Sequence, residues 1–259
     1  PTLRADMPRS FRIYKHMWIE KKLSEFELQG LCGALVHDTA FDQSLKPRQF
    51  VKPIPERRFR LGAVPQAPIL KLGKKKHIDD FFNTGMLQLG SFNYYNEFDH
   101  PEIGDNQEGI VTLLAKTPFG VIGGKYGSGY NQRMFCTYAG DVDRIVMRRF
   151  GYDSGFVITN PQGFSDAVAA AIGAISSTFG QCLYRPSRAV LGFPGDAVNR
   201  HEISHRTGEI VNAGKHFIKS DRYAQQKEFR FLWAQPSDVI DAVRFDCSSA
   251  RQHCAPLPH

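Results

Sequence analysis

The sequence predicts an α+β fold. Short apolar strands recur through most of its length, helical periodicity is confined to a few windows, and strands do not alternate with helices as a doubly wound parallel sheet requires. With 259 residues, 42% hydrophobic, 23% charged and 12% aromatic, the chain has room for a full core and lies outside the disordered, collagen-like and coiled-coil classes. No internal repeat is visible. No window reaches the roughly 18 apolar residues of a spanning helix, since the most apolar stretch, Ala167 to Ile175, is short and contains Gly173. Arg4, Asp6 and Arg9 have no apolar block behind them, so the start of the sequence predicts no secretory signal peptide.

Residues 1–65 read as a basic N-terminal arm and 66–259 as the main folded domain. The arm opens with a helical candidate from Met17 to Gln29; Pro47, Pro53, Pro55, Pro65 and Pro68 then favour extended chain. Ile69 to Leu72 reads as a strand, Lys76 to Asn83 as a helix closed by Thr84-Gly85, and Met86 to Gly90 as a strand. After a polar loop, Ile110 to Ala115 and Gly120 to Gly124 read as paired strands with a turn at Thr117-Pro118, followed by a glycine-rich loop at Gly123, Gly124 and Gly127 to Gly129. That loop lacks a Gly-Lys-Ser/Thr ending and a strand-to-helix GxGxxG context, which excludes a P-loop or Rossmann reading. Met134 to Ala139 is a strand, Val142 to Phe150 a helix and Gly155 to Thr159 a strand. Phe164 to Ser176 is the clearest helix, with Ala167, Val168, Ala171, Ile172 and Ile175 on one face. Strands are then expected at Cys182–Tyr184, Ala189–Phe193, Glu209–Asn212, His216–Lys219, Glu228–Trp233 and Val243–Asp246.

Charge is concentrated at the front. Residues 1–76 hold 16 Lys and Arg against 7 Asp and Glu, while the remainder holds 17 against 19. Arg57-Arg58-Phe59-Arg60 and Lys74-Lys75-Lys76 are the densest points, which suits a polyanion such as RNA or an acidic protein, or simply a solvated basic face. The five cysteines, Cys32, Cys136, Cys182, Cys247 and Cys254, form no Cys-x-x-Cys pair and their number is odd, as expected of inert thiols in a reducing cytosol. His201-Glu202-Ile203-Ser204-His205 has the metalloprotease spacing, but Gly195, Asn199 and Gly208 leave little room for the helix that would hold two zinc ligands. Glu102, Asp105 and Glu108 are interrupted by Gly104 and closed by Gly109, and read as an acidic turn more readily than as a cation site. No metal is expected.

The sharpest local signal is the run from Tyr223 to Trp233. Extended chain sends Gln226, Glu228, Arg230 and Leu232 to one face and Lys227, Phe229, Phe231 and Trp233 to the other. The aromatic face is core. A buried glutamate without a partner is costly, so Glu228 must either pair with Arg230, as on an edge strand, or face a polar site.

Gln226-Lys227-Glu228 resembles the Gln-x-Glu motif of the ADP-ribosyltransferase-like superfamily. Residues 69 to 233 are similar in order to a divergent bacterial group: a strand-helix-strand unit from Ile69 to Asn96, the acidic run from Glu102 to Gly109, the Phe135-Cys136-Thr137 strand and then the Gln-x-Glu strand. The resemblance implies a split β-sheet core, mixed or antiparallel, and an enzyme that transfers ADP-ribose from NAD. It also implies a bacterial toxin or effector acting on a macromolecular acceptor, protein or RNA, with an immunity protein or antitoxin as a further expected partner. The location it implies is cytoplasmic, in the producing cell or after delivery into a target cell.

On this reading Glu228 and Gln226 are catalytic. Glu228 stabilises the positive charge that builds on the ribose as nicotinamide leaves, and Gln226 orients the nucleophile. The cofactor contacts implied are Lys71, Ser91, Tyr94, Tyr95, Thr137 and Arg230: tyrosines (or Phe92) stacking on nicotinamide, Thr137 positioning Glu228, and Lys71 or Arg230 at the pyrophosphate. Lys71 stands where the family has Arg or His, and Thr137 stands without a full Ser-Thr-Ser. Glu228→Gln is expected to lower transfer or NAD cleavage by orders of magnitude with folding intact. The alternative is a non-catalytic binding domain in which Glu228 and Arg230 merely pair and the basic arm docks on an acidic partner.

Overall fold

The computed structural model describes residues 10–13, 17–18, 61–97, 109–117, 120–127, 129–185, 189–192 and 215–257. Its strands in chain order are β1 (Ser10–Ile13), β2 (Met17–Trp18), β3 (Ile69–Gly73), β4 (Met86–Ser91), β5 (Ile110–Thr117), β6 (Gly120–Gly127), β7 (Gln132–Ala139), β8 (Ser154–Ile158), β9 (Ser176–Gln181), β10 (Leu183–Arg185), β11 (Ala189–Gly192), β12 (Ile218–Ser220), β13 (Glu228–Ala234), β14 (Val243–Asp246) and β15 (Cys254–Pro256). Its α-helices are α1 (Lys75–Thr84), α2 (Phe92–Glu97), α3 (Arg144–Arg149) and α4 (Pro161–Ile172). The fold is mixed α+β, mostly antiparallel, with few helices. Among the described residues no helix is long and apolar enough to cross a membrane.

The chain forms two compact units, one of residues 1–59, 109–128 and 185–221, the other of residues 60–108, 129–184 and 222–259. In the first unit, β5 and β6 pair antiparallel from Ile110↔Gly127 to Thr117↔Gly120, with β11 parallel to β5 and β1 antiparallel to β6. Two sequence expectations change here. Met17 and Trp18, expected to open a helix, instead pair antiparallel with Ile13 and Arg12; ladder pairing outweighs weak local helix preference. Gly123, Gly124 and Gly127, expected in a loop, lie on β6, which has partners on both sides and so does not depend on side-chain packing for its place. The rest of the Met17–Gln29 window, Arg57, Arg58, Arg60, the 102–108 acidic run, the expected 209–212 strand and His201-Glu202-His205 lie outside the described residues.

The second unit is built around β7. On one side β7 pairs with β13 from Glu228↔Tyr138 to Ala234↔Gln132, all of β7 but Ala139. On the other side two strands share it: β3 takes one end through Ile69↔Ala139 and Leu70↔Tyr138, and β4 takes the other through Gly90↔Met134 and Ser91↔Arg133. Each then diverges, β3 onto β8 and β4 onto β14. Between them the middle of β7 has no strand neighbour on that side, and α1 spans the opening.

One face of this sheet packs Phe135, Phe229, Phe231, Trp233, Leu87, Leu89 and Phe156 against Ile78 and Phe81 of α1 and Phe164 and Val168 of α4. The opposite face packs Leu70, Leu72 and Tyr138 against Val146 of α3. Local signals set the helices. Asp143 accepts from the Ile145 and Val146 amides at 2.8 and 3.2 Å, and α1 stops at Gly85, whose φ of 81° suits glycine.

The sequence placed α4 three residues too late. Asn160 caps it by accepting from the Gly163 amide at 3.0 Å, Pro161 sits in its first turn, and left-handed Gly173 ends it. Its buried side is therefore Pro161, Phe164, Ser165 and Val168, and Ile175 is 68% exposed beyond its end. Ser176 to Gln181, which carry little apolar patterning, form β9 and pair with β13 from Phe229↔Gln181 to Ala234↔Ser176. The Gln-x-Glu strand is thus central, not an edge.

Candidate functional site

A cavity of about 310 Å³ opens where β3 and β4 part. Its basic lining comes from Lys71 on β3, Lys74 and His77 at the start of α1, and Arg244 on β14; Tyr94, Tyr95 and Tyr152 supply phenol rings, and Phe81, Phe135 and Phe156 an apolar wall. Among the described residues no carboxylate lines it. The volume falls at the small end of ligand sites, about 300–1,000 Å³.

Lys71 occupies the split itself. Its Nζ donates to the Cys136 carbonyl oxygen at 3.0 Å, the backbone position on β7 that neither β3 nor β4 covers, and lies 4.4 Å from the Phe135 ring centre. Burial pulls its ammonium below the ordinary lysine range, with Cys136 and Glu228 opposing that shift.

Tyr95 is seated by a glycine. A Cβ on Gly90 would come within 2.5 Å of the Tyr95 ring, so only glycine on β4 lets the ring lie there. Burial raises the Tyr95 phenol well above its usual range, and charges at Cys136, Tyr152, Glu228 and Tyr94 push the same way. Tyr152 is pushed up to about 12, again chiefly by burial. Ser91 is buried and turned from the cavity: its hydroxyl donates to the Ile240 carbonyl and accepts from the Tyr94 amide at 3.0 Å, fixing the start of α2.

The Gln-x-Glu segment differs from the expected geometry at its first residue. Asp221–Gln226 is a 3-10 helix, and Lys227 has a φ of 40°, so the strand begins at Glu228 and Gln226 does not share its period-2 face. Glu228 and Arg230 do share a face, beside Tyr138 and Cys136. Arg230 Nε donates to Glu228 Oε1 at 2.7 Å, with the two residues only 1% and 4% exposed. The Glu228 amide donates to the Tyr184 hydroxyl at 2.6 Å, and burial raises that phenol. The Arg230 guanidinium lies 5.7 Å from the Phe92 ring centre. Thr137 is on the opposite face of β7; its hydroxyl donates to the Phe229 carbonyl at 2.6 Å, so it fixes the backbone next to Glu228 and not the carboxylate.

Of the residues singled out from sequence, Lys71, Tyr94 and Tyr95 line the cavity, whereas Ser91, Thr137, Gln226, Glu228 and Arg230 are not among its lining residues. Lys74, His77, Tyr152 and Arg244 were missed, because their convergence depends on how β3, β8 and β14 pair. The lysine run at 74–76 was the one visible sign.

No family model matches the chain, and no curated protein or solved structure matches it.

Proposed function

We propose that the chain is an ADP-ribosyltransferase-like enzyme that binds NAD at the split and cleaves its nicotinamide-ribose bond. One observation carries the reading: the cavity in the split has basic and aromatic lining with no carboxylate among the described residues, and adjoins the β7–β13 pair that bears Glu228. A dinucleotide offers a pyrophosphate to Lys74, His77 and Arg244 and a flat ring to Tyr94, Tyr95 and Tyr152. The volume fits one end of such a ligand.

Nicotinamide departure leaves an oxocarbenium-like ribose, and Glu228 is the nearby carboxylate suited to stabilise it. Because Glu228 is held by Arg230, the reading requires this bond to be exchanged when substrate arrives. The acceptor is a macromolecule, RNA or protein, recruited by the basic N-terminal residues, and the protein acts in a cytoplasm as a bacterial toxin or effector.

A second reading has its own support. The short buried Glu228–Arg230 bond on a strand paired on both sides suits a purely structural role, and then the domain is a non-catalytic binding module. Calorimetry with NAD separates the two. Heat of binding that Arg244→Glu abolishes is expected on the enzymatic reading; absence of heat, together with no nicotinamide release, favours the binding module.

A further inference from the structure

We propose that Lys71 is a carbonyl-reactive amine, and that the cavity takes an aldehyde or ketone carrying an anionic group and joins it covalently to Lys71 Nζ. This does not depend on NAD being the ligand.

Four observations converge. Lys71 lines the cavity, so a small molecule has a path to it. Its amine stands over the Phe135 ring and donates to the Cys136 carbonyl at 3.0 Å, a bond that a neutral amine can also make. Across the described lining there is no carboxylate to hold an ammonium charge; its other basic side chains are Lys74, His77 and Arg244, the last joined to Asp80 at 3.0 Å. Burial moves the amine in the same direction, against the pull of Glu228 and Cys136 from β13 and β7. A lysine desolvated in an apolar pocket near other cations is the arrangement that makes an amine nucleophilic at neutral pH. The basic side chains of the lining suit an anionic substituent on the ligand. Tyr94, Tyr95 and Tyr152 would flank a planar ligand.

The step balances without a further reactant. The nitrogen lone pair adds to the carbonyl carbon, the carbonyl oxygen leaves as water with the two protons of the amine, and a carbon-nitrogen double bond remains. Water re-adding reverses it.

The test uses the full chain and pyridoxal 5′-phosphate, an aldehyde with a phosphate and a planar ring. Samples are mixed at neutral pH, reduced with borohydride so that the double bond becomes a stable secondary amine, and mapped by peptide mass spectrometry. Burial favours the neutral amine at Lys71, so Lys71 is expected to carry more adduct than any of the exposed Lys74, Lys75 and Lys76. Its labelling should also persist to lower pH than theirs. Adduct spread over the exposed lysines with Lys71 unmodified would overturn the proposal. The wild-type map decides this without any variant; Lys71→Arg, which keeps the contact to Cys136, is expected to remove the preferred adduct.

Discussion

The guanidinium of Arg230 and the carboxylate of Glu228 are joined by a 2.7 Å bond inside a strand that has neighbours on both sides. Both side chains are buried, so removing one leaves the other's charge buried without this bond. Glu228→Gln, expected from sequence to leave folding intact, should instead cost about 3–5 kcal/mol. Replacing both partners, as in Glu228→Gln with Arg230→Met, should recover most of that loss. Urea unfolding of the three proteins checks the ordering.

Gly90 and Tyr95 give a steric prediction. A methyl at Gly90 falls 2.5 Å from the Tyr95 ring, so Gly90→Ala should displace the ring and destabilise the fold by about 1–3 kcal/mol. Adding Tyr95→Leu should relieve much of this. A thermal melt of the single and double variants would reveal the coupling, and additive effects would contradict it.

The phenols set an alkaline limit. Unfolded chain releases a tyrosine proton near pH 10, about two units below Tyr152 in the fold, which holds it to about 12. The folded state therefore binds more protons across this window. The stability tied to Tyr152 is complete below the unfolded value and is lost as pH rises through the folded one. Stability to urea should fall across that range, and Tyr152→Phe should fall less steeply than the parent.

Thr137 tests the positioning of the backbone beside Glu228. Thr137→Val keeps the shape and deletes the 2.6 Å bond to the Phe229 carbonyl, at an expected cost of about 1 kcal/mol. Thr137→Ser should retain most of the stability. Equal losses in both would point to methyl packing instead.

Much of the second unit was legible because its signals are local. The strand-helix-strand run from Ile69 to Ser91 follows from apolar strands, the helix over Lys75–Thr84 and left-handed Gly85, and the aromatic face of Glu228–Trp233 follows from period-2 alternation. What stayed hidden depends on pairing across the chain. β9 has weak apolar patterning and is made a strand by β13, which gives β13 neighbours on both sides. Gln226 was misjudged because the strand begins only after the φ of 40° at Lys227. The cavity was legible only in pieces: Lys71, Tyr94 and Tyr95 could be singled out, but Lys71 and Arg244, far apart in sequence, line one cavity through the pairing of β3 with β8 and of β4 with β14.

The basic N-terminal residues carry a separate expectation. Reversing Arg57, Arg58 and Arg60 to Glu should reduce modification of a macromolecular acceptor and flatten its salt dependence, while nicotinamide release without acceptor is spared. Acceptor labelling that does not change across a salt titration would return these residues to a solvated face.

The most direct test of the central claim is nicotinamide release from NAD by the purified chain, measured beside the Glu228→Gln, Arg230→Met double variant once its fold has been verified. The account predicts release by the parent and a loss of at least about a hundredfold in the variant, the scale of losing a group that stabilises transition-state charge. Release that is absent from the parent, or undiminished in the folded variant, would contradict it.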